Sequence, residues 1–162
     1  MTARETKPDL YLSMPHPCSY LPGRMSTILF VDPQRLLNEG EYGAFVRRGF
    51  RRSGDLVYRP HCQGCNACVA VRIPVQAFEA TRGQRRVWSR NRDIEVLEKP
   101  VRFDSEHFDL YRRYQAGRHP ESGMNDADPQ KYLGFLSSRQ VDSAFFEMRV
   151  NGQLLGVAVA DV

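Results

Sequence analysis

Three cysteines at three-residue steps, in Cys62-Gln63-Gly64-Cys65-Asn66-Ala67-Cys68, constrain this chain more than any other feature of it. Two residues between thiols make a tight turn, so the sulfurs of a C-x-x-C pair converge on one point. A fourth cysteine, Cys18, lies far upstream in Pro17-Cys18-Ser19-Tyr20-Leu21-Pro22, and these four are the whole complement. Soft ligands of this kind suit tetrahedral zinc or a [4Fe–4S] cluster, which spacing alone does not separate. The plainer alternative is that Cys18 is unrelated and the triplet packs as small apolar residues. The proline- and glycine-flanked loop argues for ligands, and Cys18, Cys62, Cys65 and Cys68 are the candidate metal set. His61, beside Cys62, is an alternative ligand or an ordinary loop residue.

With 162 residues the chain can build one well-packed domain or two small ones. No run approaches the eighteen or so apolar residues of a membrane span, and the charged opening has no apolar stretch of a secretory signal behind it. That implies a reducing cytoplasm, where four cysteines serve as ligands more readily than as disulfides. No G-x-G-x-x-G, Walker loop, H-E-x-x-H or G-x-S-x-G occurs, which leaves dinucleotide, nucleoside triphosphate, metalloprotease and serine-hydrolase readings without support.

The net charge is +4, and arginine supplies nearly all of the positive charge. Its planar fork pairs bidentately with phosphate and stacks on bases. Arg47, Arg48, Arg51 and Arg52 form one cluster, directly before the cysteines; Arg82, Arg85, Arg86, Arg90 and Arg92 form a second with no acid between them. An ordinary solvated helix face interleaves acids, so these patches point to a polyanion such as RNA.

The chain reads as loop-rich to about Leu29, with Asp32-Pro33 starting a helix that pauses near Gly40 and resumes to Gly49. Leu56 to Arg59 and Val69 to Ile73 read as strands. Thr81 to Asn91 has helical spacing with Val87 and Trp88 as its buried residues. Ile94 to Leu97 reads as a strand. Helices follow from Asp104 or Ser105 through Tyr114 or Gln115, with Phe108, Tyr111 and Tyr114 as an aromatic stripe that reads as core rather than as a base-stacking platform, and from Asp128-Pro129. Ser143 to Val150, Asn151-Gly152 and Gln153 to Val162 predict a β-hairpin with a type I′ turn. The apolar final strand, with no turn after it, predicts further sheet downstream and a chain truncated at its C-terminus. His119, just past a helix end with Tyr114 before it, is the candidate proton acceptor.

Several of these stretches resemble the aminoacyl-tRNA–protein transferases in order along the chain. They are Cys18-Ser19-Tyr20-Leu21-Pro22, Gly49-Phe50-Arg51-Arg52-Ser53-Gly54, Tyr58 to Cys68, Gln84-Arg85-Arg86 with Arg90-Asn91, and Tyr111-Arg112-Arg113-Tyr114-Gln115. More narrowly they are similar to the bacterial aspartate/glutamate leucyltransferases. The resemblance implies an α+β fold: a cysteine-bearing N-terminal region over 1–75, then over 76–162 the first part of an acetyltransferase-like (GNAT-like) mixed sheet with helices.

It also implies a reaction, transfer of leucine from leucyl-tRNA to proteins beginning with Asp or Glu, which marks them for degradation. The four cysteines match the family's amino-terminal cysteines, associated in eukaryotic relatives with an iron–sulfur cluster, although those relatives carry a vicinal pair in place of this triplet. Arginyl transfer is the alternative within the family, and a non-catalytic zinc-binding RNA module the alternative outside it. For the reaction, His119 with Tyr114 is expected to handle the amine's proton, and a backbone N–H of the sheet to stabilise the oxyanion. Arg85, Arg86 and Arg90 are expected to bind tRNA phosphates. Arg48 is grouped with the substrate-binding residues, and one of Arg51, Arg52 or Arg72 is expected to read the acceptor's acidic side chain.

Overall fold

Asn38 decides where the first helix begins. Its side chain accepts from the Glu41 amide while the Glu41 carboxylate reaches back to the Asn38 amide, a reciprocal capping box that opens α1, Glu39–Arg47. The computed structural model describes residues 8–120 and 128–162, which fall into two units, Met1–Arg72 and Ile73–Val162. The expected helix start at Asp32-Pro33 is a turn instead. Asp32 accepts from the amides of Gln34 and Arg35, because an Asp-Pro pair suits a turn as well as a helix start.

The first unit is built on a four-stranded antiparallel sheet. Its strands are β1 (Leu10–Leu12), β4 (Ile28–Val31), β5 (Arg51–Ser53) and β6 (Leu56–Pro60), in the order β1-β4-β6-β5. A small ladder of β2 (His16–Pro17) and β3 (Met25–Ser26) stands beside it in sequence. The stretch expected to be loop-rich therefore carries four strands, each too short for alternation to announce it. Val31, Leu37, Tyr42, Phe45, Phe50 and Val57 are buried in this unit. Phe45 and Phe50 meet edge to face at 4.9 Å, and the chain turns between them at Gly49. Gly49 has φ +83°, and a Cβ there would stand 3.0 Å from that of Ala70, so glycine is required twice over. Val69 to Ile73 is not a strand. It is exposed and pairs with nothing among the described residues, since alternation without a partner makes no ladder.

The second unit opens with a 3₁₀ turn at Val75–Ala77 and α2, Arg82–Arg90, capped by a Thr81–Gln84 box. Its sheet is β7 (Glu95–Pro100), β8 (Ser143–Val150) and β9 (Gln153–Asp161) in that order, antiparallel throughout, and with its helices it gives the α+β architecture expected. Strand β7 runs three residues beyond the expected end at Leu97, to Pro100. The predicted hairpin is present, with Asn151 at φ 49° and Gly152 at φ 80°, the positive angles a type I′ turn demands. Helix α3, Ser105–Arg118, starts at Asp104, and α4, Pro129–Leu136, starts at Asp128. Phe108 and Tyr111 both pack on Tyr132, at ring-centroid distances of 5.2 and 4.9 Å, which joins α3 to α4. Phe145, fully buried, and Leu154 fill the sheet side of this core.

Candidate functional site

Strand β6 delivers the chain to the cysteine loop, and the His61 amide donates to the Thr27 carbonyl to fix that entry. The Cys62 sulfur then lies 3.5 Å from the Ser26 hydroxyl and 3.7 Å from the Thr27 carbonyl. Those contacts, the Ser26 hydroxyl first and the Thr27 carbonyl second, hold the thiol below its ordinary pKa. Cys65 turns back on Cys62 through its amide, with Gly64 at φ 71° in between. Cys18 follows β2, whose partner β3 supplies Ser26, so the ladder carrying Cys18 adjoins the strand end carrying Cys62.

All four cysteines are free thiols. Their chemistry suits a soft metal, yet among the described residues no three His, Cys, Asp or Glu side chains gather closely enough to hold one. As arranged, the loop does not fit a closed four-thiolate site.

The arginines after α1 are held in different ways. Arg51 stacks over the Tyr58 ring at 5.2 Å. Burial is the largest influence on it and works against its charge, but Tyr20 and Tyr58 together leave its pKa raised. Arg48 caps α1, and its carbonyl accepts from Arg59, which itself lies over the Phe50 ring at 5.1 Å. Arg52 faces the opposite side of β5 from Arg51, paired in register with Val57. Arg72 stands in the exposed extended stretch after the cysteines.

In the second unit, Arg82, Arg85, Arg86 and Arg90 share one side of α2, as the 3.6-residue period requires. Val87 and Trp88 lie on the other side and are exposed, Trp88 by 79 %, in contrast to the burial expected of them. Helical spacing shows which side is apolar; it does not supply a neighbour to cover it. At the end of α3 the Tyr114 hydroxyl and His119 Nε2 are 3.3 Å apart, with the rings edge to face, so the structure brings these two candidates together on an exposed surface. Tyr114 therefore does not join Phe108 and Tyr111 in the core as expected, since one turn further along α3 no phenylalanine or tyrosine ring among the described residues covers it.

One cluster had no sequence signal beyond two charged residues on the inward parity of β8. His107 and Glu147 are both buried, with Nε2 and Oε1 2.7 Å apart. Arg149 donates through Nε to Glu147 at 2.7 Å and through Nη2 to Glu106 at 2.5 Å. Those bonds, Arg149's first, lower the Glu147 pKa to about 2, against the opposing pull of burial. An ionised Glu147 accepts only, so the His107 Nε2–H donates, and Nδ1 is left buried with no hydrogen-bond partner among the described residues. This network floors a cavity of about 220 Å³ whose rim carries Lys99, Arg102 and Asp104 and whose wall includes Leu97 and Pro100.

The chain belongs to the arginine-tRNA–protein transferase family: the family's N-terminal model matches residues 16–86 and its C-terminal model residues 106–162. Among curated relatives it is 49 % identical, over 94 % of its length, to a protein of Nitrosococcus oceani named aspartate/glutamate leucyltransferase. Proteins of the same name from Pseudomonas paraeruginosa and Chromohalobacter salexigens are 45 % and 47 % identical, again over 94 % of this chain. The chain spans 65 %, 65 % and 62 % of these three relatives, less than two thirds of their length.

Proposed function

We propose that this protein transfers leucine from leucyl-tRNA to the α-amine of proteins that begin with Asp or Glu, creating a degradation signal. The observation that carries the reading is identity of 45 to 49 % over 94 % of the chain to relatives whose name specifies leucine as the group moved and Asp or Glu as its acceptor. That name favours leucine over arginine as the donor. The chemistry agrees. An aminoacyl ester is already activated, so the main task is to hold the amine against the ester carbonyl, which alone can lower the barrier by several kcal/mol.

In the proposed reaction the acceptor's ammonium, with a pKa of about 8, loses a proton to His119. The free amine attacks the leucyl carbonyl, the amide bond forms, and the tRNA 3′ oxygen leaves with a proton. Tyr114 sets the orientation of the His119 ring through their contact at 3.3 Å. The α2 arginines hold RNA phosphates, the reading supported by their shared helix side. Charged tRNA is a cytoplasmic substrate, so the reaction belongs in that compartment; no helix among the described residues is long and apolar enough to cross a membrane. The cysteines enter no step, and metal analysis with a visible spectrum on anaerobically purified protein tests whether they bind zinc or a cluster.

The deciding experiment supplies protein from the complete reading frame with tRNA charged with leucine or with arginine, and a peptide beginning with Asp. Mass spectrometry is expected to find leucine added to the Asp-starting peptide and none added to an Ala-starting control. Arginine addition would replace the donor assignment. RNA binding with no transfer of either amino acid would leave a non-catalytic RNA module.

A further inference from the structure

We infer that the cavity at the start of α3 is the recognition site for the acceptor's first residue, with Lys99 and Arg102 taking its side-chain carboxylate and Asp104 its α-ammonium. This rests on the reaction proposed above and assigns to it a specificity site that the sequence alone does not reveal. Size is the first argument. A space of about 220 Å³ is enough for one amino-acid residue with its flanking atoms.

The balance of charge is the second. Arg149 is engaged by Glu106 and Glu147, and Glu147 is engaged in turn by Arg149 and His107, so each charged group of the floor already has a partner. The groups of the rim do not. Among the described residues neither Lys99 nor Arg102 makes a side-chain hydrogen bond or ion pair, whereas Arg35 and Arg149 are both paired. Asp104 commits Oδ1 to the amides of Glu106 and His107, and its Oδ2 makes no hydrogen bond among the described residues. Two unpaired cations and one free carboxylate oxygen on a single rim match a ligand that carries both signs.

An amino-terminal Asp or Glu is such a ligand, with an ammonium and a carboxylate two or three bonds from the same Cα. A phosphate group would meet Asp104 as a like charge and leave the cavity's mixed sign unused. The ion pairs from β8 to Glu106 hold the first turn of α3 in place, so Asp104 is presented from a fixed element rather than from a loop. Leu97 and Pro100 give the ligand's methylene groups an apolar wall.

The test is peptide binding, read by fluorescence anisotropy without tRNA, on protein from the complete reading frame. Peptides beginning with Asp, Glu, Ala and N-acetyl-Asp are compared. Joint Lys99→Ala and Arg102→Ala substitution is expected to weaken Asp- and Glu-start binding by about tenfold or more and to erase the preference over Ala. Asp104→Asn retains a good helix cap and is expected to lose the preference for the free amine over the acetylated form. In the transfer assay the double variant should raise the acceptor KM and leave kcat at saturating peptide near the parent value, with circular dichroism confirming the fold.

Unchanged discrimination by the double variant overturns the inference. So does a loss of discrimination confined to a variant of Arg51, Arg52 and Arg72. Failure of the parent protein to transfer leucine would instead remove the proposed reaction, a result read separately from peptide binding.

Discussion

Glu147 lies on β8 between Phe145 and Arg149, on the parity that faces α3, where an unpaired carboxylate would be costly. Pairing with Arg149 and His107 is what allows it there. Because its folded-state pKa, about 2, lies below that of an unfolded glutamate, about 4.3, the stability it contributes is present above the unfolded value. It is lost as pH falls through that window. Urea midpoints measured from pH 6 down to about 2 are therefore expected to decline in the parent, and Glu147→Gln should flatten that part of the decline while lowering the midpoint at pH 6. Arg149 is only two residues along the strand, but the other members of the network, His107 and Glu106, lie forty residues from Glu147 and forty-three from Arg149, a distance no local pattern spans. By contrast the caps Asp104 and Asp128 were legible, since a cap acts on amides two or three residues along.

Helix α2 shows what a local pattern can and cannot reveal. Helical spacing from Thr81 to Asn91 marked its two caps, and the arginines its charged side. The same spacing assigned Val87 and Trp88 to a buried side, and the structure leaves both exposed. The segment 69–73 fails for the related reason that a strand needs a partner the alternation does not specify. If the arginine side holds RNA phosphates, the logarithm of tRNA affinity should fall linearly with the logarithm of salt concentration. Replacing Arg85, Arg86 or Arg90 with Ala should each reduce the slope by about 0.7 to 0.9, measured by filter binding over a salt series. Trp88→Ala should leave thermal stability within about 0.5 kcal/mol of the parent, since the ring covers no core.

Across the whole molecule there are two cores, one centred on Phe45, Phe50 and Val57 and the other on Phe108, Phe145 and Tyr132. Phe45→Ala and Phe145→Ala are each expected to cost about 3 to 5 kcal/mol, seen as faster amide exchange in the unit that carries the substitution. The second core was largely readable from the sequence, because its elements are long and its hairpin turn is chemically explicit. The first was readable only at α1 and β6, because its other strands, of two to four residues, hold too little periodicity to register. The candidate site divides in the same way. The Tyr114–His119 pair and the α2 arginines came from neighbours in sequence, while the mixed-charge rim needed β7 and β8 to be brought to one end of α3.

Strand β9 carries a consequence for handling this protein. Among the described residues it pairs with β8 alone, and from Gln153 to Asp161 it carries no lysine, proline or arginine, the residues that blunt an open edge. Wherever its other side is left uncovered, concentrated samples should associate by adding β-strand to β-strand, and Ala158→Lys, at an exposed position, should raise the concentration at which light scattering begins.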